Sequence, residues 1–146
     1  MMSNVGIYVE PDALGYQTLG GTREGDAGLD LVAQEDGWIL PNATLVVPTG
    51  VYLDLPEDMA ALVCPRSGLA TKGVTVVNAP GIVDPNYTGE VKVILAALAL
   101  PVKITAGDRI AQLVFHAIPT HTIERLSDLP NKQTARGAAG FGSSGR

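Results

Sequence analysis

Apolar residues recur along the chain in short bursts separated by glycine, proline, asparagine or aspartate. The bursts cover residues 7–9, 29–33, 38–40, 45–47, 51–55, 60–63, 74–77, 90–100, 109–118 and 122–126. Within 51–55, apolar and polar side chains partly alternate, as in a strand that buries one face. Strands with turn signals about every 8 to 12 positions are typical of sandwiches and barrels. We therefore expect an all-β fold, a jelly-roll-like β-sandwich or barrel.

A helix is favoured at only one place. Residues 69–72 are expected to form a single turn, with Ser67 as its N-cap and Gly73 at its end. From residue 131 onward, small and polar residues dominate, and four of them are glycines. We therefore expect a β domain over residues 1–130, followed by a flexible C-terminal arm over residues 131–146.

Composition agrees with one folded domain. The 146 residues are 46% hydrophobic and 17% charged, which is too apolar for a disordered chain. With 17 glycines and 10 prolines, turns should be frequent and long helices scarce. The single cysteine, Cys64, cannot form an internal disulfide. Residues 1–20 lack the pattern of a signal peptide, and no apolar run is long enough for a bilayer, so we expect a cytoplasmic protein without membrane contact.

The net charge of −5 limits the choice of ligand. Nucleic-acid binding through a broad basic face is not expected, because that affinity comes from many Lys and Arg contacts to phosphates. A small polyanion that meets a few well-placed bases remains compatible with this charge.

Residues 65–73, PRSGLATKG, place a base and a hydroxyl directly before the expected helical turn. Backbone N–H groups at a helix start, together with Arg66, suit a phosphate group. The alternative is an ordinary surface loop with a capped turn.

Residues 78–90, NAPGIVDPNYTGE, hold two turn signals around an apolar pair and predict a hairpin with irregular ends. Unpaired backbone groups of such a hairpin can bind the edge of a base. Asp84 can orient or deprotonate a water molecule, and Tyr87 can pack on a sugar. The alternative is that Asp84 merely caps a turn before Pro85.

Two further segments place charge beside apolar strands. In DAGLDL at 26–31, Asp30 should point away from the core, either into solvent or towards a metal ion. In GDRIAQL at 107–113, Arg109 and Gln112 should face opposite sides of a strand because their separation is odd. A structural ion pair between Asp108 and Arg109 is the alternative role for this segment.

The arm contains RGAAGFGSSG at 136–145. Phe141 can stack on a base, and Arg136 with nearby glycine N–H groups can clamp a phosphate. A loose terminus without function is the alternative.

Taken in order, the segments AGLDL at 27–31, PRSGLATKG at 65–73, NAPGIVDPNYTGE at 78–90, GDRIAQL at 107–113 and RGAAGFGSSG at 136–145 resemble the five motifs of homotrimeric dUTPases, the dUTP nucleotidohydrolases. They span nearly the whole chain, and the second, third and fifth are highly specific. The resemblance implies a jelly-roll-like subunit and a homotrimer with shared active sites. It also implies hydrolysis of dUTP to dUMP and pyrophosphate, which keeps uracil out of DNA and supplies dUMP for dTTP synthesis.

The resemblance further implies residue roles. Asp84 would hold the attacking water and contact the sugar 3′-hydroxyl, while Tyr87 would pack under the deoxyribose and leave no room for a 2′-hydroxyl. Asp30 would reach the implied cofactor, Mg²⁺, through its water shell. The phosphates would be bound by Arg66, Ser67, Gly68 and Gln112, and uracil by the backbone around Asn78, Gly81 and Val83. The arm of a neighbouring subunit would supply the remaining substrate-binding residues. These are Phe141 over uracil, Gly142, and Arg136 with Ser143 on the γ-phosphate.

The match to the family pattern departs at two places. One residue is missing between Lys72 and Gly73, so the short helix is expected to end differently, and Ala139 replaces a frequent glycine in the arm. A dCTP deaminase, similar in fold and motif order, is one alternative. Its deaminating Glu lies ten residues after the hairpin Asp, where this chain has Ile94, and an aliphatic side chain cannot shuttle protons. A regulatory protein with the dUTPase fold that acts through protein contacts is the other alternative.

Overall fold

The computed structural model describes residues 4–15, 23–119 and 121–141. Within these ranges, ten strands and one short helix follow one another as β1 Gly6–Val9, β2 Leu29–Val32, β3 Gly37–Ile39, β4 Thr44–Asp54, β5 Met59–Cys64, α1 Ser67–Ala70, β6 Val74–Val76, β7 Gly81–Val83, β8 Glu90–Ala97, β9 Val102–Ile104 and β10 Arg109–Ala117. The prediction of an all-β fold with one short helix is confirmed. In the described part of the chain, no helix has the length and apolar character needed to cross a bilayer.

The strands form two four-stranded sheets, with orders β1-β4-β8-β6 and β2-β10-β5-β7, and a small β3-β9 sheet. All pairings between these strands are antiparallel. One hydrophobic core joins the two large sheets. It packs Val51, Val93 and Leu95 of the first sheet against Leu31 and Leu113 of the second sheet, and none of these five side chains has exposed surface. The two large sheets therefore form a sandwich, while its jelly-roll-like connectivity stays a prediction.

Strand β4 joins two apolar bursts that the sequence separates. Its register with β8 shifts between Pro48 and Val51, so that Thr49 and Gly50 form a bulge. Gly50 has a φ of 69°, which side chains disfavour. The Glu90 carboxylate accepts hydrogen bonds from the N–H groups of Thr49 and Gly50 at 3.1 and 2.9 Å. The turn signal inside β4 thus produces a bulge, and the strand continues beyond it.

The hairpin predicted over residues 78–90 is wrong. Strand β7 pairs with β5 in the second sheet, whereas the flanking strands β6 and β8 pair with each other in the first. Strand β7 is the last strand in the order of the second sheet. Its Val83 is buried against the shared core, whereas Ile82 on its other face is 66% exposed. The chain therefore crosses between sheets twice in this segment.

The strand predicted over residues 122–126 is also absent. Residues 121–126 have no regular secondary structure, and Ile123 and Leu126 are 91% and 57% exposed. A short apolar run is not stable as a strand without a partner, and none of the described strands pairs with it.

Candidate functional site

A polar cleft of about 640 Å³ lies beside strands β2 and β10 and the start of α1. It is lined by Arg23, Asp26, Ala27, Gly28, Asp30, Arg66, Ser67, Gly68, Arg109 and Gln112. The five residues outside the arm that the sequence assigned to the phosphates and the metal are therefore in one place. Three arginines and two aspartates give these lining residues a net positive charge, which favours an anionic ligand.

The Arg66 guanidinium is fixed at the base of the polar cleft. Its Nε lies 2.8 Å from Oδ1 of Asp30, and its Nη1 donates to the carbonyl oxygen of Arg109 at 3.3 Å. Both partners of this ion pair are partly buried, with side chains 26% and 23% exposed. Contacts through Nε and Nη1 thus orient the guanidinium in the cleft.

Arg109 is a cleft residue that sequence reasoning missed. Its Nη1 lies 3.5 Å from Oδ2 of Asp30. The carboxylate of Asp108 instead accepts a hydrogen bond from the N–H of Thr105 at 2.8 Å. The structure thus shows Arg109 paired with Asp30, and the alternative pairing of Arg109 with Asp108 is not formed.

A β-bulge explains why Arg109 and Gln112 line the same cleft. The register of β10 against β2 shifts between Arg109 and Ala111, so Ile110 is an extra residue on the strand. With one extra residue between them, two side chains three positions apart point to the same face of the sheet. The expectation that Arg109 and Gln112 face opposite sides is therefore wrong.

Gln112 is held against the loop that follows β5. Its Nε2 donates to the carbonyl oxygen of Pro65 at 3.0 Å, so its Oε1 is turned towards Gly28. A Cβ at position 28 would collide with that Oε1. The glycine in the segment 26–31 is therefore required by the packing of Gln112.

The short helix begins two residues earlier than predicted. It spans Ser67–Ala70, and Arg66 is the N-cap in an extended conformation, without a side-chain cap hydrogen bond. Ser67 as the N-cap is thus wrong, because the Arg66 carbonyl already accepts the N–H groups of Leu69 and Ala70 at 3.2 and 3.0 Å. Ser67 is instead an exposed residue of the first turn, where helix N–H groups have no partner within the helix.

A second cleft, of about 280 Å³, lies along β7 and is called the β7 cleft. It is lined by Val46, Val63, Asn78, Gly81, Ile82, Val83, Asp84, Tyr87, Glu90, Val91, Lys92 and Ile94. The five residues outside the arm that the sequence assigned to the base, the sugar and the water all line this cleft. Its wall is mostly aliphatic, with Asp84 as an exposed carboxylate.

Tyr87 is fixed at both ends. Its N–H donates to the carbonyl oxygen of Asp84 at 3.1 Å, which closes the turn that contains Pro85. Its hydroxyl donates to the carbonyl oxygen of Glu90 at 2.9 Å, although the residue is 47% exposed. The turn is thus closed by the backbone carbonyl of Asp84.

The two clefts share no lining residue. In the arm, Arg136 Nε donates to the carbonyl oxygen of Ala139 at 2.8 Å, and Phe141 is fully exposed. Neither arm residue lines either cleft. Gly142 and Ser143 lie outside the described residues. A single chain thus presents the predicted residues in three separate groups.

The carboxylates and other donor groups near the polar cleft determine how a metal ion can bind there. Within residues 4–15, 23–119 and 121–141, no three His, Cys, Asp or Glu side chains gather into a metal site. Asp30 places one carboxylate at the polar cleft, and its oxygens contact arginines. This donor set fits Mg²⁺ bound mainly by a ligand's phosphates and its own waters, as Mg²⁺ usually is in phosphate sites.

An all-β sandwich with an arginine-lined cleft and a separate, largely aliphatic cleft beside a carboxylate suits a ligand that has both an anionic part and a flat apolar part, such as a nucleotide. The sequence model of the dUTPase family matches residues 18–145. The chain belongs to the dUTPase family, and the resemblance stated from its five motifs is confirmed.

Relatives and solved structures agree with this assignment. The chain is 50% identical to the deoxyuridine 5′-triphosphate nucleotidohydrolase of Thermobifida fusca, covering 83% of this chain and 68% of the relative. It is 48% identical to that of Leifsonia xyli subsp. xyli, covering 83% and 80%. Among solved structures, the dUTPase of Staphylococcus bacteriophage 80alpha with dUpNHpp has a TM-score of 0.81 at 23% identity, covering 99% of this chain and all of that one. The EIAV dUTPase has a TM-score of 0.71 at 27% identity, covering 89% and 100%.

Proposed function

We propose that this chain hydrolyses dUTP to dUMP and pyrophosphate, through attack of water on the α-phosphorus. The observation that carries the proposal is the polar cleft, where Asp30, Arg66, Ser67, Gly68 and Gln112 come together from three distant segments. Membership of the dUTPase family supports the choice of substrate. The cytoplasmic location expected from the sequence stays a prediction.

The polar cleft is proposed to bind the triphosphate. Arg66 offers its oriented guanidinium, and Ser67 and Gly68 offer first-turn N–H groups at the helix start. Gln112 completes the set from strand β10. Phosphate oxygens bind well to a pre-oriented guanidinium, because less side-chain entropy is lost when the complex forms.

The β7 cleft is proposed to bind the nucleoside. Strand β7 is the last strand in its sheet order, so the backbone near Asn78, Gly81 and Val83 has groups available for the edge of uracil. A thymine methyl would find no room there. Tyr87 would pack under the deoxyribose and exclude a 2′-hydroxyl.

The chemistry is proposed to depend on Asp84. The carboxylate would hold a water molecule and accept its proton as the oxygen attacks the α-phosphorus. The bond from the α-phosphorus to the bridging oxygen then breaks, and pyrophosphate leaves. The cations of the polar cleft would stabilise the charge that develops on this leaving group.

Mg²⁺ is the proposed cofactor. A solved relative in fold, the dUTPase of phage phi11 of S. aureus at a TM-score of 0.75, is described with a structural Mg(II) ion. Bound to the triphosphate, the ion would neutralise phosphate charge. Asp30 would accept hydrogen bonds from the waters of the ion while it keeps Arg66 in place.

The substrate assignment is tested by pyrophosphate release from dUTP, dCTP, dTTP and UTP in the presence of Mg²⁺. We expect turnover of dUTP alone. Absence of dUTP turnover would defeat the proposal. Ammonia release from dCTP would favour the deaminase alternative, which the structure does not support because the position of its catalytic Glu is Ile94, an aliphatic wall residue of the β7 cleft.

We further propose a homotrimer in which each active site joins the polar cleft of one subunit to the β7 cleft of another. The separation of the clefts supports this, since neither contains both a water-binding carboxylate at position 84 and a phosphate-binding arginine. The arm, residues 131–146, would close over the combined site from a neighbouring subunit.

Shared sites predict complementation between inactive variants. Asp84→Asn and Arg66→Ala damage different clefts, so co-expressed chains should recover about a quarter of wild-type activity, the chance that a site in a ring receives one intact cleft from each variant. Purified trimers that contain only one of the two variants should stay inactive. The measurement is dUTP turnover per subunit of the mixed trimers.

Two damaged residues in the same cleft provide the control. Co-expression of Asp84→Asn with Tyr87→Ala should recover nothing beyond the residual activity of Tyr87→Ala, since no intact β7 cleft is present. Equal recovery in both mixtures, or none in either, would contradict a site built from two subunits.

A further inference from the structure

We infer that Gly89 is a positioning residue for Tyr87 and, through it, for the choice of deoxyribose over ribose; this rests on the proposed function. A Cβ at position 89 would lie 2.6 Å from the Tyr87 hydroxyl oxygen, 2.7 Å from Cζ and 3.1 Å from Cε2. Real Cβ atoms essentially never come within 3.0 Å of another heavy atom. Any side chain at position 89 therefore requires the Tyr87 ring to move.

The backbone does not demand a glycine at position 89. Its φ lies outside the positive range, unlike that of Gly50 at 69° or Gly73 at 77°. The three atoms nearest to a Cβ at this position all belong to the Tyr87 side chain. An alanine would thus be free of backbone strain, and its conflict would be with the ring.

We expect a ring that moves clear of this Cβ to lose its hydroxyl contact. Its hydroxyl donates to the Glu90 carbonyl oxygen at 2.9 Å. Glu90 cannot follow, because its backbone is paired with Tyr52 in the β4–β8 ladder and its carboxylate holds the β4 bulge. A displaced ring is therefore expected to lose the hydroxyl hydrogen bond.

The ring does have space to leave. Tyr87 is 47% exposed and is not part of the hydrophobic core. An alanine at position 89 should therefore turn the ring towards solvent and leave the sandwich intact. The Tyr87 ring would then no longer exclude a 2′-hydroxyl. Selection of deoxyribose over ribose should therefore fall while the fold persists.

The test compares kcat/KM for dUTP and UTP in the wild-type chain and in Gly89→Ala. We expect the ratio to fall about tenfold or more, the scale on which pocket contacts discriminate substrates, with a melting temperature within about 3 °C of wild type. Thr88→Ala is the matched control, because Thr88 is an exposed neighbour in the same turn that lines neither cleft. An unchanged ratio in Gly89→Ala overturns the inference.

A double-mutant cycle identifies the partner of Gly89. Tyr87→Ala removes the ring, so Tyr87→Ala and Tyr87→Ala/Gly89→Ala should have the same ratio. A further fall in the double variant overturns the inference, because Gly89 then acts on something else. If Gly89→Ala alone does not fold, a folded double variant supports the inference and an unfolded one overturns it.

A crystal structure of Gly89→Ala without nucleotide tests the placement independently of activity. We expect a displaced Tyr87 ring that has lost its bond to Glu90, and an unmoved ring overturns the inference. Failure of the wild-type chain to hydrolyse dUTP would defeat the proposed function. The crystal structure would still show whether Gly89 positions the Tyr87 ring.

Discussion

Asp84→Asn is expected to slow dUTP turnover by about 10² to 10⁴, the range for loss of a positioned base. Asparagine keeps the size of the side chain but cannot accept the proton of the attacking water. The fold should persist, because the turn is closed by the Asp84 carbonyl oxygen, which accepts the Tyr87 N–H at 3.1 Å. Turnover is measured under saturating dUTP and in a single-turnover format, so that product release cannot mask the chemical step.

Binding and a matched substitution complete this experiment. The affinity for a non-hydrolysable imido analogue of dUTP should change little, since the cations of the polar cleft are untouched. Asp54→Asn makes the same change at an exposed aspartate outside both substrate clefts and should leave turnover unchanged. Near-normal turnover in Asp84→Asn would remove this carboxylate from the mechanism.

Much of the candidate site follows from local sequence. A base and a hydroxyl before a helical turn predicted Arg66 and Ser67 as anion-binding residues, and a turn beside an apolar pair predicted Asp84 and Tyr87 together. Such signals depend only on neighbours in the chain. The predicted residues therefore line the two clefts even where the predicted helix start or strand pairing was wrong. The helix began two residues early and β7 joined the second sheet, yet the polar cleft and the β7 cleft contain the predicted residues.

Pairings between distant strands could not be predicted from sequence. The bulge at Ile110 brings Arg109 beside Asp30, and nothing in GDRIAQL indicates an extra residue relative to β2. The strict alternation of a strand therefore gave the wrong facing for Arg109. Gly28 likewise has its reason in the side chain of Gln112, more than eighty positions away in the chain.

The separation of the clefts is a further feature that local patterns do not contain. Asp84 and Arg66 are only 18 positions apart, but strand β7 ends beside the first sheet while Arg66 leads into α1 next to β2 and β10. Within one chain, the groups proposed to bind water and phosphate therefore face different clefts. The arm follows the last strand and is the remaining segment with predicted substrate-binding residues.

Truncation after Asn131 is expected to leave a folded oligomer whose dUTP turnover is lower by about 10² or more, the effect of losing a positioned donor from a closed site. Strand β10 ends at Ala117, and every described residue from 121 to 139 is exposed, so removal of the arm opens no core. The loss would arise because Arg136 no longer reaches the γ-phosphate and Phe141 no longer covers uracil. Turnover, circular dichroism and size-exclusion chromatography are measured on the same preparation.

A chain in which residues 132–146 are replaced by a glycine–serine segment of equal length separates side-chain contacts from mere chain length. It should be as slow as the truncated chain, because a flexible segment supplies neither a cation nor an aromatic ring. Arg136→Ala and Phe141→Ala then divide the loss: the first should weaken the hold on the triphosphate, and the second should act on the uracil end. Full activity in the glycine–serine chain would show that the arm acts only as a cover, and full activity after truncation would show that the two clefts complete the site without it.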